Sequence, residues 1–174
     1  MHRSRPLPVT LLAAALWGCT PSLDWRELQA EGSGIVATFP CKPDRHARSI
    51  VLAAQSVRME MLVCSVGELT FALSFADLAD PGQVSATLAE LQSLAVSNLG
   101  AARADRVDAT VPGMTPNPNA ARLRLEASQP NGTTLQEQAA FFTKGLRVYQ
   151  ATVLGRKVPG EAVETFFAGL RLPS

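Results

Sequence analysis

Residues 136–172 hold two strand-like runs, a tight turn and an amphipathic helix in immediate succession, and this stretch restricts the fold more than any other part of the chain. In 136–143 and 146–154 the Phe, Tyr, Val and Leu positions flank Lys144-Gly145, where a glycine can take the positive φ of a tight turn. The pair reads as a β-hairpin. Pro159 fits a first helical turn, and Val163, Phe166, Phe167 and Leu170 then recur at i, i+3, i+4 and i+7. Such a stripe has to be buried, and the hairpin just before it is the nearest apolar surface.

The first eighteen residues are of a different kind. His2, Arg3 and Arg5 form a short basic segment, and the run from Leu7 to Leu16 is apolar apart from Pro8 and Thr10. That run is too short for a bilayer, which takes roughly 20 residues. It matches an export signal with a basic start, an apolar middle and a small residue before the cut. Leu16-Trp17-Gly18-Cys19 resembles a bacterial lipobox, in which signal peptidase II cuts before a cysteine that carries a diacylglyceryl group. Leu16 and Gly18 fit that pattern, whereas Trp17 is bulky for its place. The resemblance implies a signal peptide over 1–18 and lipidation of Cys19, with palmitate among the acyl chains. Thr20, rather than Asp, follows the cysteine, which by the same resemblance implies sorting to the outer membrane, facing the periplasm. Ordinary secretion, with Cys19 near a conventional cleavage site, and an uncleaved anchor or a mispredicted start are the alternatives.

Without residues 1–18, which include Arg3 and Arg5, the chain has 156 residues with 14 basic and 15 acidic side chains, a formal charge of −1. A near-neutral domain has no electrostatic footprint for nucleic acid. The length suits one domain whose core needs no metal, read as an anchor and tether over 19–32 and a single domain over 33–174. Acylation of Cys19 leaves Cys41 and Cys64, and in an oxidising periplasm two remaining cysteines in one small domain imply a disulfide.

Along the chain, Leu23, Trp25 and Leu28 are apolar enough to dock. Ile35 to Phe39 has strand propensity and is stopped by Pro40. The polar stretch 42–49, with Pro43, Asp44 and the basic Lys42, Arg45 and Arg48, reads as an exposed loop. Residues 50–54 and 57–64 are strand candidates, the second with Val57, Met59, Met61 and Val63 on one face. Leu69, Phe71, Leu73 and Phe75 then alternate with small residues as a half-buried strand does. At Asp80 the period changes. Asp80, Pro81 and Gln83 fit N-cap, N1 and N3, Val84, Leu88, Leu91, Ala95 and Leu99 continue at helical spacing, and Gly100 is placed to stop the run. Residues 101–108 are polar and read as an extension or frayed end of that helix. Pro112, Gly113, Pro116 and Pro118 make 111–119 a loop. Leu123 and Leu125, alternating with Arg122, Arg124 and Glu126, predict a strand with one wet face.

Six or seven strand candidates and two helices in this order predict an α+β fold with a mainly antiparallel sheet covered by helices. Phe39-Pro40 with Pro43 near the first strand, a meander, one helix, and Arg147-Val148-Tyr149 ahead of a last helix bearing Phe166-Phe167 together resemble the PsbP and Mog1-like α/β/α sandwich group, over roughly residues 33–172. That group includes accessory subunits of photosystems, a binding partner of a small GTPase and bacterial lipoproteins. No catalytic residue comes with the resemblance.

Reactive side chains are sparse. Cys41, Asp44 and His46 are the only nucleophile, acid and base that fall close together, and a thiol enzyme or hydrolase would need Cys41 free and within reach of His46. One histidine and two cysteines in the mature chain do not close a zinc site, and no cofactor is implied. Gly32-Ser33-Gly34 precedes a strand and lacks the phosphate-loop pattern. Arg103, Arg106, Arg122 and Arg124 are interleaved with Asp105, Asp108 and Glu126, as on a solvated face. Trp25 and Tyr149 each carry a polar edge that suits a binding groove. The expectation is a lipid-anchored accessory or protein-binding module of the cell envelope, with the membrane and an envelope protein as partners. A binder of a small apolar ligand between the sheet and the 80–100 helix, and an enzyme near Cys41 and His46, are the rivals.

Overall fold

A computed structural model describes residues 23–101 and 103–173, so the lipobox-like segment and Cys19 lie outside the described residues. β1 (Arg26–Gln29) and β2 (Val36–Phe39) pair as a small antiparallel ladder. β3 (Asp44–Leu52), β4 (Gln55–Val66) and β5 (Leu69–Asp77) follow as a meander. A 3-10 turn (Pro81–Gln83) leads into α1 (Val84–Leu99), then come β6 (Arg103–Asp108), β7 (Ala121–Ser128), β8 (Thr134–Lys144), β9 (Arg147–Gly155) and α2 (Gly160–Ala168). The last seven strands form one antiparallel sheet in the order β3-β4-β5-β9-β8-β7-β6.

The expected α+β class and α/β/α sandwich are therefore corrected: the chain is mostly β, with nine strands against two α-helices among the described residues. Two stretches account for much of the difference. Residues 42–49, expected as a loop, supply most of β3, and residues 101–108, expected as helix, supply β6. These are the two outer edges of the large sheet, where a strand is open to water and needs no apolar alternation. Nor does a helical layer cover the face opposite α1. The β1–β2 ladder does so together with the nine-residue α2.

Each face of the sheet has its own core. On one, the α1 stripe of Val84, Leu88, Leu91, Ala95 and Leu99 is buried against Leu123 and Leu125 of β7, Ala139 and Phe141 of β8 and Val148 of β9. Gly100 ends this helix at φ 71°, the left-handed conformation that glycine adopts without a Cβ clash. Asp80 caps the 3-10 turn by accepting from Gly82 N at 2.8 Å, so it reaches α1 only through that turn. On the other face Ile35, Ala37, Phe39, Val163, Phe166 and Leu170 pack on Phe71, Leu73, Phe142, Tyr149 and Val153. Phe166 meets both Phe39 and Phe71 edge to face, at 5.4 Å between ring centres in each case, the arrangement that aromatic quadrupoles favour. The β8–β9 hairpin turns through Gly145-Leu146 with Gly145 at φ 57°.

Because every neighbouring pair is antiparallel, the strand ends collect at two poles. The β4–β5 turn, the start of β3 and the end of β9 lie at one pole, where Cys41 is bonded to Cys64. The Ala53-Ala54 and Gly145-Leu146 turns lie at the other.

Candidate binding cleft

On the face that carries α2, the sheet is left open over β6, β7 and β8 near the disulfide pole, and a cleft of about 530 Å³ lies there. Register explains its polar lining. Arg124 stands opposite Gln138 on one side and Asp105 on the other, and Glu126 opposite Gln136 and Arg103, so all six side chains point from the same face. Leu125 and Glu137 contribute to its wall from positions whose side chains alternate to the α1 face. Val158 and Gly160 bring the start of α2 to the rim.

Most of these groups are held. Arg103 Nε donates to Asp105 Oδ1 at 2.9 Å, Gln136 Nε2 donates to Glu126 Oε2 at 3.0 Å, and Gln136 Oε1 accepts from Val158 N at 3.1 Å. The last of these ties the loop before α2 to the sheet. Arg122 works from beneath: it donates to Gln138 Oε1 at 2.8 Å and to Glu164 of α2 at 2.7 Å, and its guanidinium lies 4.4 Å from the centre of the Phe167 ring. The Arg122 hydrogen bond also draws the Glu164 carboxyl below its usual range.

What remains free defines what the cleft can hold. Arg124 has no ion pair within 4 Å among the described residues. Gln138 is 7% exposed and its Nε2 finds no acceptor there. The N-cap of α2 is Pro159, which offers no side-chain cap, so the first N–H groups of the helix face outward with their partial positive charge. Donors therefore converge on one side, while Asp105 and Glu126 supply acceptors on the other. The set suits a polar ligand that carries a carboxylate or another anionic group. It contains no cysteine, serine or histidine nucleophile.

The residues singled out from the sequence fall elsewhere. Cys41 and Cys64 form a disulfide, with Cα atoms 6.0 Å apart, and a bonded Cys41 offers no thiolate. His46 stands opposite Met61 on the α1 face of the sheet, whereas Cys64 points into the core on the opposite face. The structure thus keeps Cys41 and His46 on different sides. Tyr149 is 2% exposed, stacks on Phe142 at 5.1 Å and donates its hydroxyl to Ser33 O at 2.9 Å. Burial raises its pKa, and its polar edge is used inside the protein. Trp25 is half-buried with its ring edge-on to Phe71 at 5.7 Å. Among the described residues no three metal-ligating side chains converge. Between α1 and the sheet the space is taken by Leu88, Leu125 and Phe141, all fully buried.

Sequence reasoning saw Arg103, Arg122 and Arg124 as a wet face and passed over Gln136 and Gln138. The overlooked signal was the polar run Gln136-Glu137-Gln138 in β8, just ahead of the apolar Ala139 to Phe142. No protein-family model matches the chain, and no curated protein matches it.

Proposed function

We propose that the chain is a periplasm-facing lipoprotein, held at the outer membrane through Cys19, that acts as an accessory or protein-binding module of the envelope, with the α2 cleft as its recognition surface. The cleft is the observation that carries this reading. Its six polar side chains are aligned by strand register and partly ordered by their own hydrogen bonds, so little rotamer freedom is lost when a partner docks. A polar segment of a partner protein would set a carboxylate against Arg124 and the start of α2, and amide or cationic groups against Glu126 and Asp105. The disulfide supports the oxidising compartment, and the lipobox-like Leu16-Trp17-Gly18-Cys19 supports the anchor. With Cys41 bonded and His46 on the other face, recognition is favoured over thiol chemistry.

Site-specific photocrosslinking in intact cells tests this. A crosslinking residue in place of Arg124 should capture one discrete envelope protein, and the same residue in place of Ser93, exposed on α1 away from the cleft, should not. Identical capture from both positions, or capture from position 93 alone, would contradict the assignment.

A further inference from the structure

The α2 cleft is closed on its α2 side at two points. Gln136 Oε1 accepts from Val158 N at 3.1 Å, and Arg122 donates to Glu164 of α2 at 2.7 Å. Gln138 lies between these two ties, two residues along β8 from Gln136 and bonded to Arg122. The opposite side is open, since all six residues of β6 are exposed. A chain that enters over β6 toward α2 therefore cannot pass beneath the helix, and it has to end at Gln138.

Donors fill that blind end. Arg122 donates to Gln138 Oε1 at 2.8 Å, which fixes the amide so that Nε2 is the other atom. Gln138 is 7% exposed, and its Nε2 has no acceptor among the described residues but is not enclosed, so it opens onto the cleft that the side chain lines. A donor held this deep gains from any acceptor brought to it. The N–H groups of Gly160, Glu161 and Ala162 at the start of α2 likewise have no acceptor among the described residues, the Glu161 carboxylate included. Arg124 stands opposite Gln138 on β7 and makes no ion pair there. In the lining Arg103 and Arg124 are balanced by Asp105 and Glu126, so a singly charged carboxylate suits this end better than a doubly charged phosphate.

Asp105 and Glu126 decide what carries the carboxylate. Asp105 is directly opposite Arg124, with about 5 Å between Cβ atoms, and Glu126 is two residues along β7, about 7 Å away. A main chain brings one N–H about every 3.5 Å back from its terminal carboxylate. The stem of an Asp or Glu side chain brings only methylenes to the same distances.

We infer that the cleft takes the C-terminal end of a polypeptide. The terminal carboxylate sits on Gln138 Nε2, Arg124 and the start of α2, and the N–H groups of the last residues face Asp105 and Glu126. This rests on the cleft being the recognition surface proposed above, and it names the part of the partner that enters it.

The full protein, isotope-labelled and purified as its cells process it, would be titrated with three probes and followed by NMR. The probes are a pool of N-acetylated tripeptides with free C-termini, the same pool as C-terminal amides, and the α-amide of N-acetylglutamate, whose only carboxylate is on its side chain. The cross-peaks of the Gln138 side-chain amide and of Gly160 N–H report the blind end. The free-acid pool should shift both saturably, and about ten-fold more tightly than either control. Gln138→Glu keeps an acceptor for Arg122 but puts negative charge in place of the donor, and read at Gly160 it should weaken the free-acid pool about ten-fold. Gly160→Pro removes one N–H at a first helical position, which suits proline, after a Pro159 that is already extended. Read at Gln138, it should weaken the same pool several-fold. Equal responses to acid and amide pools, a stronger response to the glutamate amide, or unchanged binding in both variants would overturn the inference. Capture of an envelope protein from position 124 while the free-acid pool leaves Gln138 unmoved would overturn it too, yet would leave the proposed function standing. Saturable free-acid binding with no protein captured from position 124 would support the chain-end site and count against the protein-binding module.

Discussion

Glu137 shows what a single side chain costs in this sheet. It stands between Leu125 and Leu154 on the α1 face, is 8% exposed and accepts no hydrogen bond among the described residues. Burial pushes its pKa up to about 7 because the charged form loses its water. Below an unfolded value near 4.5 both states are protonated and nothing is lost. Between there and about 7 the unfolded chain ionises while the folded one does not, so stability falls as pH rises, by roughly 3 kcal/mol once pH is well above 7. Glu137→Gln should flatten that fall. Urea midpoints of the two proteins measured from pH 5 to pH 8 check it, and parallel curves would show that the carboxyl is solvated in the folded state. Thr87 makes a second case, since its Oγ1 on the sheet-facing side of α1 is buried without a partner among the described residues. Thr87→Val removes that orphan and should raise stability by about 1 kcal/mol, read as an upward shift of the thermal midpoint. Tyr149 is the residue-scale lesson in legibility. Its polar edge was visible in the sequence, but the Ser33 carbonyl that uses it lies 116 residues away along the chain.

At the scale of elements, local periodicity carried what could be read. The α1 stripe and the β8–β9 hairpin follow from spacing alone, and the structure buries Val84, Leu88, Leu91, Ala95 and Leu99 as that spacing requires. Residues 50–54 and 57–64 are expected as strands, and β3 and β4 include most of them, but the turn that joins them lacks the usual signal. Ala53 and Ala54 both sit at positive φ, 47° and 60°, where turns normally place Asn and Gly. Ala53 N donates to the Glu90 carboxylate on α1, which holds the turn in place. Replacing the pair by Asn and Gly, as Ala53→Asn with Ala54→Gly, should relieve left-handed strain and stabilise the protein by about 1 kcal/mol or more. A lower urea midpoint in the double variant would show that the alanines are not strained. β6 was missed for a different reason. All six of its residues are exposed, and the strand exists only because β7 pairs with it. The cleft shares that limit, since it takes the register of three strands to align Arg103, Arg124 and Gln138. The disulfide needed no register to be expected, and it ties the segment after β2 to β4 across a separation of 23 residues. Its reduction should cost about 3 kcal/mol in chain entropy, seen as a lower urea midpoint in reductant than in its absence.

For the whole molecule, the fold class was the larger error, because helices announce themselves by period whereas edge strands and a covering β-ladder do not. The localisation is an expectation from the sequence, and it stands here as a proposal. The cysteine arithmetic, the short apolar leader and the lipobox-like segment point to one compartment, and the disulfide agrees with it. In the function proposed above, the polar cleft is the surface through which the domain recognises its partner. Everything in that account depends on the state of three cysteines, and one measurement reads them all. Top-down mass spectrometry of the protein extracted from its native envelope should find a chain that starts at Cys19, carries acyl chains on that residue, and is lighter by two hydrogens than the form with free thiols at Cys41 and Cys64. A mature chain without acyl groups, or one in which both thiols are free before any reductant is added, would contradict it.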